Sequence, residues 1–363
     1  MKKIGLLTWH YYSNFGSMLQ THATYTVLKE LGYDPHVLNY RNPVYGKVNN
    51  YLYLVKRFLS LIPYTINRIL PPKLLQPQFR FSNLWKKTDV VYDSMGLQLQ
   101  IEGFYAIVCG SDQIWAPNVY NPIYMLDFVP DNIRKISYAA SIGLNSIPKE
   151  LVSNYKKYIG RIDSISVREY QGKKILENQC GIKSEVVLDP TLLVDVSKWK
   201  QLSISSNIRC PFIFCYFLRK DHQYRESVEI FAKQNNLALY GISDNPNDAS
   251  WMNVLTYVTI GPREFLGLIN DAQIIITDSY HGTIFSLLLH KDFITIERFE
   301  SNDNICQNSR IEQLVQYFGI SKNIISVNEQ TELTVNPINY ENFEEELSVL
   351  REKSIKFLRD ALS

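Results

Sequence analysis

Short apolar runs alternate with stretches of helical spacing from one end of the chain to the other, the pattern of an α/β protein with parallel strands. Ile4–Trp9 predicts a first strand, followed by a polar loop over His10–Ser17 and a helix that Gly32 closes. His36–Tyr40, Tyr105–Cys109, Lys135–Ala139, Ser164–Val167 and Glu185–Leu188 continue the series of strands, with helices near 148–160 and 168–179. Pro190–Cys210 carries few periodic signals and reads as a connection. The alternation then resumes, with strands at Pro211–Phe217, Ala238–Tyr240, Gln273–Thr277 and Phe293–Glu297. Helices are predicted over 221–235, 262–270 and 280–289, and a final one rich in Glu, Leu, Lys and Arg near the C-terminus. The chain thus divides into residues 1–195, 205–335 and a terminal helix within 336–363. Two Rossmann-like domains with a cleft between them are the economical architecture, and ligands in such sheets sit beyond the carboxyl ends of the strands.

Composition narrows the class. The 363 residues are 45% hydrophobic and 20% charged, which fits a packed globular protein and excludes disorder for the bulk of the chain. The net charge of +2 hides an uneven distribution. Between Pro35 and Thr88 there are nine basic residues and no acidic one, so the remainder carries a net −7. Nine aromatic residues interleave with that basic run, and 42–88 reads as a basic, aromatic insertion in the first domain. It has the character of a surface that meets anionic lipid, or of helices packed on the first sheet with their charges in water. No recognised motif accompanies the charge, so nucleic acid is not an expected partner. Five cysteines without a CxxC pair argue against a disulfide framework or a structural zinc site. No signal peptide or membrane-spanning run is predicted, and the expected location is the cytoplasm.

Candidate chemistry sits at the strand ends. The segment Ile274–Thr283 runs from a buried strand into a helix that Asp278 or Ser279 can cap, leaving backbone N–H groups as an anion site. Tyr280 and His281 lie in its first turn, and Gly282 removes a side chain where a ligand would come close. The plainer account is a capped helix with a hydrogen-bonded histidine. A second strand end, Cys109-Gly110-Ser111-Asp112-Gln113-Ile114-Trp115, presents hydroxyl, carboxylate and amide groups suited to a polyhydroxylated molecule, with Asp112 as a candidate general base. Its plainer account is an Asx turn with Trp115 in the core. Tyr12 and Asn14 lie in the loop after the first strand, which lacks a GxGxxG dinucleotide fingerprint. Arg168 stands just past another strand, where it can clamp an anion or pair with a nearby acid. Ser141 belongs to a further strand end built of small residues.

Together these segments resemble the polysaccharide pyruvyl transferase family. The resemblance rests on Tyr12–Gly32, Gly110–Trp115, Tyr138–Gly143, Val167-Arg168-Glu169, Val187-Leu188-Asp189-Pro190-Thr191, Thr277–Phe285 and Asn308-Ser309-Arg310-Ile311, in that order, over roughly residues 4–320. It implies a GT-B-like arrangement, phosphoenolpyruvate (PEP) as donor, no cofactor, and a glycan acceptor. The product would be a pyruvate ketal, on galactose by expectation, in a surface polysaccharide such as capsule or exopolysaccharide, or in its lipid-diphosphate-linked precursor. The resemblance places the donor on the second domain and the acceptor on the first. One departure stands out. Better-known members carry an arginine two positions before the histidine, and here that position is Ser279. The donor's negative charge must then meet Arg168, Arg263, Arg298 or Arg310.

The expected assignment has His281, Asp112 and Arg168 in catalysis. Ser279, Tyr280, Gly282, Arg263, Arg298 and Arg310 bind the donor. Tyr12, Asn14, Ser111, Gln113, Trp115 and Ser141 bind the acceptor, and no metal is expected. Two other readings compete. A glycosyltransferase of the same architecture would need ribose and base recognition, for which Glu297 is the one candidate seen. A non-catalytic assembly protein with a decayed donor site would explain Ser279.

Overall fold

A computed structural model describes residues 1–10, 14–42, 76–219, 224–243, 245–257, 259–299, 307–326 and 332–363. The first sheet contains β1 (Lys3–Leu7), β2 (Asp34–Val37), β3 (Ala106–Cys109), β4 (Arg134–Ala140), β5 (Ser164–Val167) and β6 (Glu185–Val186), in the order β2-β1-β3-β4-β5-β6. The second contains β7 (Phe212–Tyr216), β8 (Ala238–Ile242), β9 (Asn253–Leu255), β10 (Ile274–Thr277), β11 (Asp292–Ile296) and β12 (Ile324–Ile325), in the order β12-β11-β10-β7-β8-β9. Every pairing between these strands is parallel. All four residues of β3 are buried, and so are Ile275–Thr277 of β10, because helices cover both faces of such sheets. The two-domain α/β architecture expected from the periodicity is therefore present.

The strand orders locate the site. In the first sheet the chain reverses direction between β1 and β3; in the second it reverses between β7 and β10. A crevice opens at such a switch point because the connections leave toward opposite faces. Both crevices open into one cavity.

Several elements refine the expected pattern. The first helix spans Phe15–Glu30, starting three residues earlier than the loop reading, because Asn14 Oδ1 accepts the Ser17 amide at 3.2 Å and caps it there. The helix expected over 168–179 begins at Tyr170, and Gly181, at φ 71, ends the π-turn that follows it. β9 and β12 were not anticipated, being only three and two residues long. Within the Pro190–Cys210 connection a helix forms over Val196–Leu202 and buries Trp199. The terminal helix, Tyr340–Leu362, ties the halves together. Its start is held by Tyr340 Oη donating to Lys291 O at 2.7 Å, and further along Arg351 Nε donates to Leu192 O at 2.9 Å.

The halves also share a core. Phe15, from the first half, is fully buried against Phe265 (centroids 5.1 Å apart), Tyr257 (5.3 Å) and Tyr216 (5.8 Å) of the second. Burying one such ring contributes about 2–3 kcal/mol. Most of the basic insertion, residues 43–75, lies outside the described residues. Its end is structural: Phe81 and Trp85 are buried, and Trp85 Nε1 donates to His22 Nδ1 at 3.2 Å.

Candidate functional site

The shared cavity has a volume of about 430 Å³. Trp9, Asn14, Ser17, Asp112 and Gln113 form the wall from the first half; Leu218, Ser279, Tyr280, His281, Arg298 and Arg310 form the wall from the second. Eight of the residues expected from the sequence therefore meet in one place: His281, Asp112, Ser279, Tyr280, Arg298, Arg310, Asn14 and Gln113.

The first wall is built around a carboxylate. Asp112 follows Gly110 in the turn after β3 and adopts φ 76, a conformation that aspartate tolerates better than most residues. Its Oδ2 accepts from Ser17 Oγ at 2.5 Å, and its Oδ1 accepts from the Gln113 amide at 2.8 Å. The turn itself is fixed by Gln20, whose Oε1 accepts the Ser111 amide at 3.1 Å, and by Thr8 Oγ1, which donates to Ser111 O at 3.0 Å. Gln113 Nε2 is buried without a partner.

The second wall is cationic. Ser279 caps the helix Tyr280–Leu288, its Oγ accepting the Gly282 amide at 3.3 Å, so the serine serves its own helix. Arg168 and Arg310 both approach the Tyr280 ring, with guanidinium carbons 4.6 and 5.6 Å from its centroid. Arg310 is 6% exposed; its Nη2 donates to Gln307 Oε1 at 2.9 Å, and its Nε has no partner. Arg298 Nε is likewise unpartnered. Neither arginine has a carboxylate partner among the described residues. Burial, together with the nearby Arg168 and Arg298 charges, lowers Arg310 from its ordinary value. Keeping such a group buried without an ion-paired carboxylate costs stability, which the Glu169 and Asp112 charges offset only in part.

Beneath this wall lies Asp189, fully buried in the turn after β6. Its Oδ2 accepts from Arg168 Nη1 at 2.8 Å and from Ser111 Oγ at 3.1 Å. His281 Nε2 is 3.6 Å from the same oxygen, an ion-pair distance rather than a hydrogen bond, and Nε2 has no hydrogen-bond partner.

Four expected residues stand elsewhere. Trp115 is fully buried and donates through Nε1 to Tyr124 O at 3.0 Å, so it belongs to the core rather than to an acceptor site. Ser141 is buried and donates to Glu169 Oε1 at 3.0 Å. Arg263 Nε donates to Leu202 O at 2.8 Å and clips the connecting helix instead of facing a donor. Gly282 makes room for Thr277 rather than a ligand: a Cβ there would stand 2.5 Å from Thr277 Oγ1. Ser111 and Arg168 lie behind the cavity wall, joined through Asp189. Tyr12 lies outside the described residues. Trp9, Ser17 and Leu218 were not singled out; Trp9 and Ser17 belong to the polar loop and its edges, so their position after β1 was a usable signal. Among the described residues no group of three His, Cys, Asp or Glu side chains could hold a metal ion.

The polysaccharide pyruvyl transferase family model matches residues 14–298. No curated protein matches the chain significantly. Among solved structures, one from Listeria monocytogenes assigned as a UDP-N-acetylglucosamine 2-epimerase superposes with a TM-score of 0.51 at 9% identity, over 98% of this chain and 90% of that one. The UDP-GlcNAc 2-epimerase of Neisseria meningitidis, bound to UDP-GlcNAc, gives 0.50 at 14% identity, over 99% of this chain and 94% of that one. These similarities show the fold, the two-domain GT-B arrangement, and the family match carries the rest.

Proposed function

Because the chain belongs to the polysaccharide pyruvyl transferase family, we propose that it moves the pyruvate unit of PEP onto two hydroxyls of one sugar, galactose by preference, forming a ketal and releasing phosphate. One observation supports the donor: Arg298 and Arg310 stand in the cavity wall with unpartnered nitrogens and no ion-paired carboxylate among the described residues. Such a wall suits an anion, and PEP carries a phosphate and a carboxylate. The cation absent at Ser279 is replaced by these arginines from two other elements.

The reaction needs an acid, a base and stabilisation of a leaving phosphate. His281 protonates the enol carbon of PEP, turning CH2 into CH3 and leaving C2 electron-poor. A sugar hydroxyl attacks C2 and loses its proton to Asp112, with Ser17 sharing that carboxylate. The C2–O bond to phosphate then breaks, with Arg298 and Arg310 taking up the developing charge. A second hydroxyl closes the ketal, its proton leaving on phosphate. Asn14 and Gln113 orient the sugar. No cofactor is needed.

The acceptor in this reading is a glycan carried on lipid diphosphate, approached at the inner face of the membrane through the basic run 42–88. No helix among the described residues is long and apolar enough to cross a membrane. Flotation with anionic liposomes tests the contact: binding at low salt that is lost at high salt supports it, and no binding at low salt ends it.

Thermal stabilisation tests the donor. A ligand at a hundred times its Kd raises stability by about 2.7 kcal/mol. Stabilisation by PEP and not by UDP-sugars supports the transferase. The reverse supports a nucleotide-sugar glycosyltransferase, and stabilisation by neither supports a non-catalytic role.

A further inference from the structure

Asp189 makes two separate sets of contacts. Its Oδ1 caps the short turn Pro190–Leu192, accepting from the Thr191 amide at 3.0 Å and from Thr191 Oγ1 at 2.6 Å. A cap needs no more than that. Its Oδ2 gathers groups from three other segments: Ser111 Oγ after β3, Arg168 Nη1 after β5, and, 3.6 Å away, His281 Nε2 in the second half. Burial by itself would raise this carboxyl, but His281, Arg168 and Thr191 outweigh it and hold the group well below the usual carboxylate range. Its side chain is entirely closed to solvent. It lies behind the cavity wall, so it does not touch a ligand itself.

His281 is gripped on its other edge. A Cβ at Gly16 would fall 2.2 Å from His281 Nδ1, so the start of the first helix packs directly on the ring and only glycine permits it. The ring also stands edge-on to Tyr280, with centroids 5.2 Å apart. Backbone on one side and a carboxylate on the other leave the imidazole one orientation. Both constraints come from the first half of the chain, whereas the histidine belongs to the second.

We propose that Asp189 is the positioning residue of His281: across the boundary between the halves it holds the imidazole proton at Nε2 and compensates the charge of the protonated ring. The inference rests on His281 acting as the acid of the donor site. It adds that the acid is assembled only when the two halves are together. A carboxylate behind a functional histidine acts in this way, fixing the tautomer through one oxygen while the other is held by the fold.

Two measurements test it, and the first does not depend on turnover. In the wild-type protein, 15N NMR of the neutral His281 ring should show the Nε2–H tautomer, and the Nδ1–H tautomer overturns the proposal. The second uses Asp189→Asn, which keeps the Thr191 cap and the side-chain shape while removing the charge. Turnover with PEP should fall about a hundredfold, the scale for acid–base groups, with KM for PEP changed less than threefold. The double variant Asp189→Asn/His281→Ala should be no slower than His281→Ala alone. Multiplied losses, or a lost PEP affinity with unchanged turnover, would show that Asp189 only supports the fold. If no PEP turnover exists in the wild type, the transferase reading fails, while the tautomer still decides the role of Asp189.

Discussion

The two walls of the cavity face each other with opposite habits. On the first, Asn14 caps a helix and both oxygens of Asp112 already accept hydrogen bonds. On the second, Arg298 Nε and Arg310 Nε have none. A satisfied polar surface holds its shape without a ligand, whereas buried unsatisfied donors cost stability until something supplies acceptors. In the proposed reaction the first wall is a pre-formed rest for hydroxyl groups, and the second receives the anionic donor. Gln113 Nε2 is the exception on the first wall: it is buried without a partner, packed so close to Gly143 that a Cβ there would fall 2.2 Å from it.

The largest effect should come from the chemical groups, one on each wall. His281→Ala is expected to lower turnover by at least about a hundredfold. Asp112→Asn should cost a similar factor but leave stabilisation by PEP intact, because the donor contacts the opposite wall. Steady-state kinetics beside thermal shifts check both, and near-normal turnover removes the residue concerned from the mechanism.

Arg310→Met separates binding from stability. Removing the unpaired buried guanidinium should raise the melting temperature of the ligand-free protein. PEP affinity should fall about thirtyfold or more, the scale of one charge-assisted contact. A lower melting temperature with unchanged affinity would make Arg310 a structural residue and erase the contrast between the walls.

A change of pH should leave this contact in place. The Arg310 guanidinium stays charged across the working range, so PEP affinity should be level from pH 7 to 10. Isothermal titration over that range reads this, and a decline in the wild type that Arg310→Met lacks would show that the charge is lost.

The smallest effect lies at the junction of the halves. Burial lowers His22 to about 4, from an ordinary 6.5. The unfolded chain then binds the proton first as pH falls, so stability is full above 6.5, declines toward 4 and levels off below. Allowing for the ring's partial exposure, the loss is about 2 kcal/mol. His22→Gln, which can still accept from Trp85, should flatten the change in urea midpoint between pH 7 and 5. An identical slope in both proteins would show that other groups set the acid limit.

Fold and site differed in how far the chain revealed them. Strands such as β3 and β10 are unbroken apolar runs because helices cover both faces, so periodicity found them. The two-residue β12 has no period to detect. At the strand ends, residue type identified polar turns but not which way they face. Trp115 and Asp112 share one turn, yet one ring goes to the core and the other group to the cavity. Arg263 and Arg310 are both arginines near helix starts; only the packing of the connecting helix tells them apart. Asp189 was visible within its Leu-Asp-Pro-Thr segment, but its role depends on His281, 92 positions away and in the other half.

The most direct test of the account is phosphate release from PEP with and without a galactoside bearing two free hydroxyls. Release should require the acceptor, match ketal formation one for one, and fall severalfold or more in Arg310→Met at PEP concentrations that just saturate the wild type. Release that ignores the acceptor, or none at all beside activity with a UDP-sugar, would contradict it.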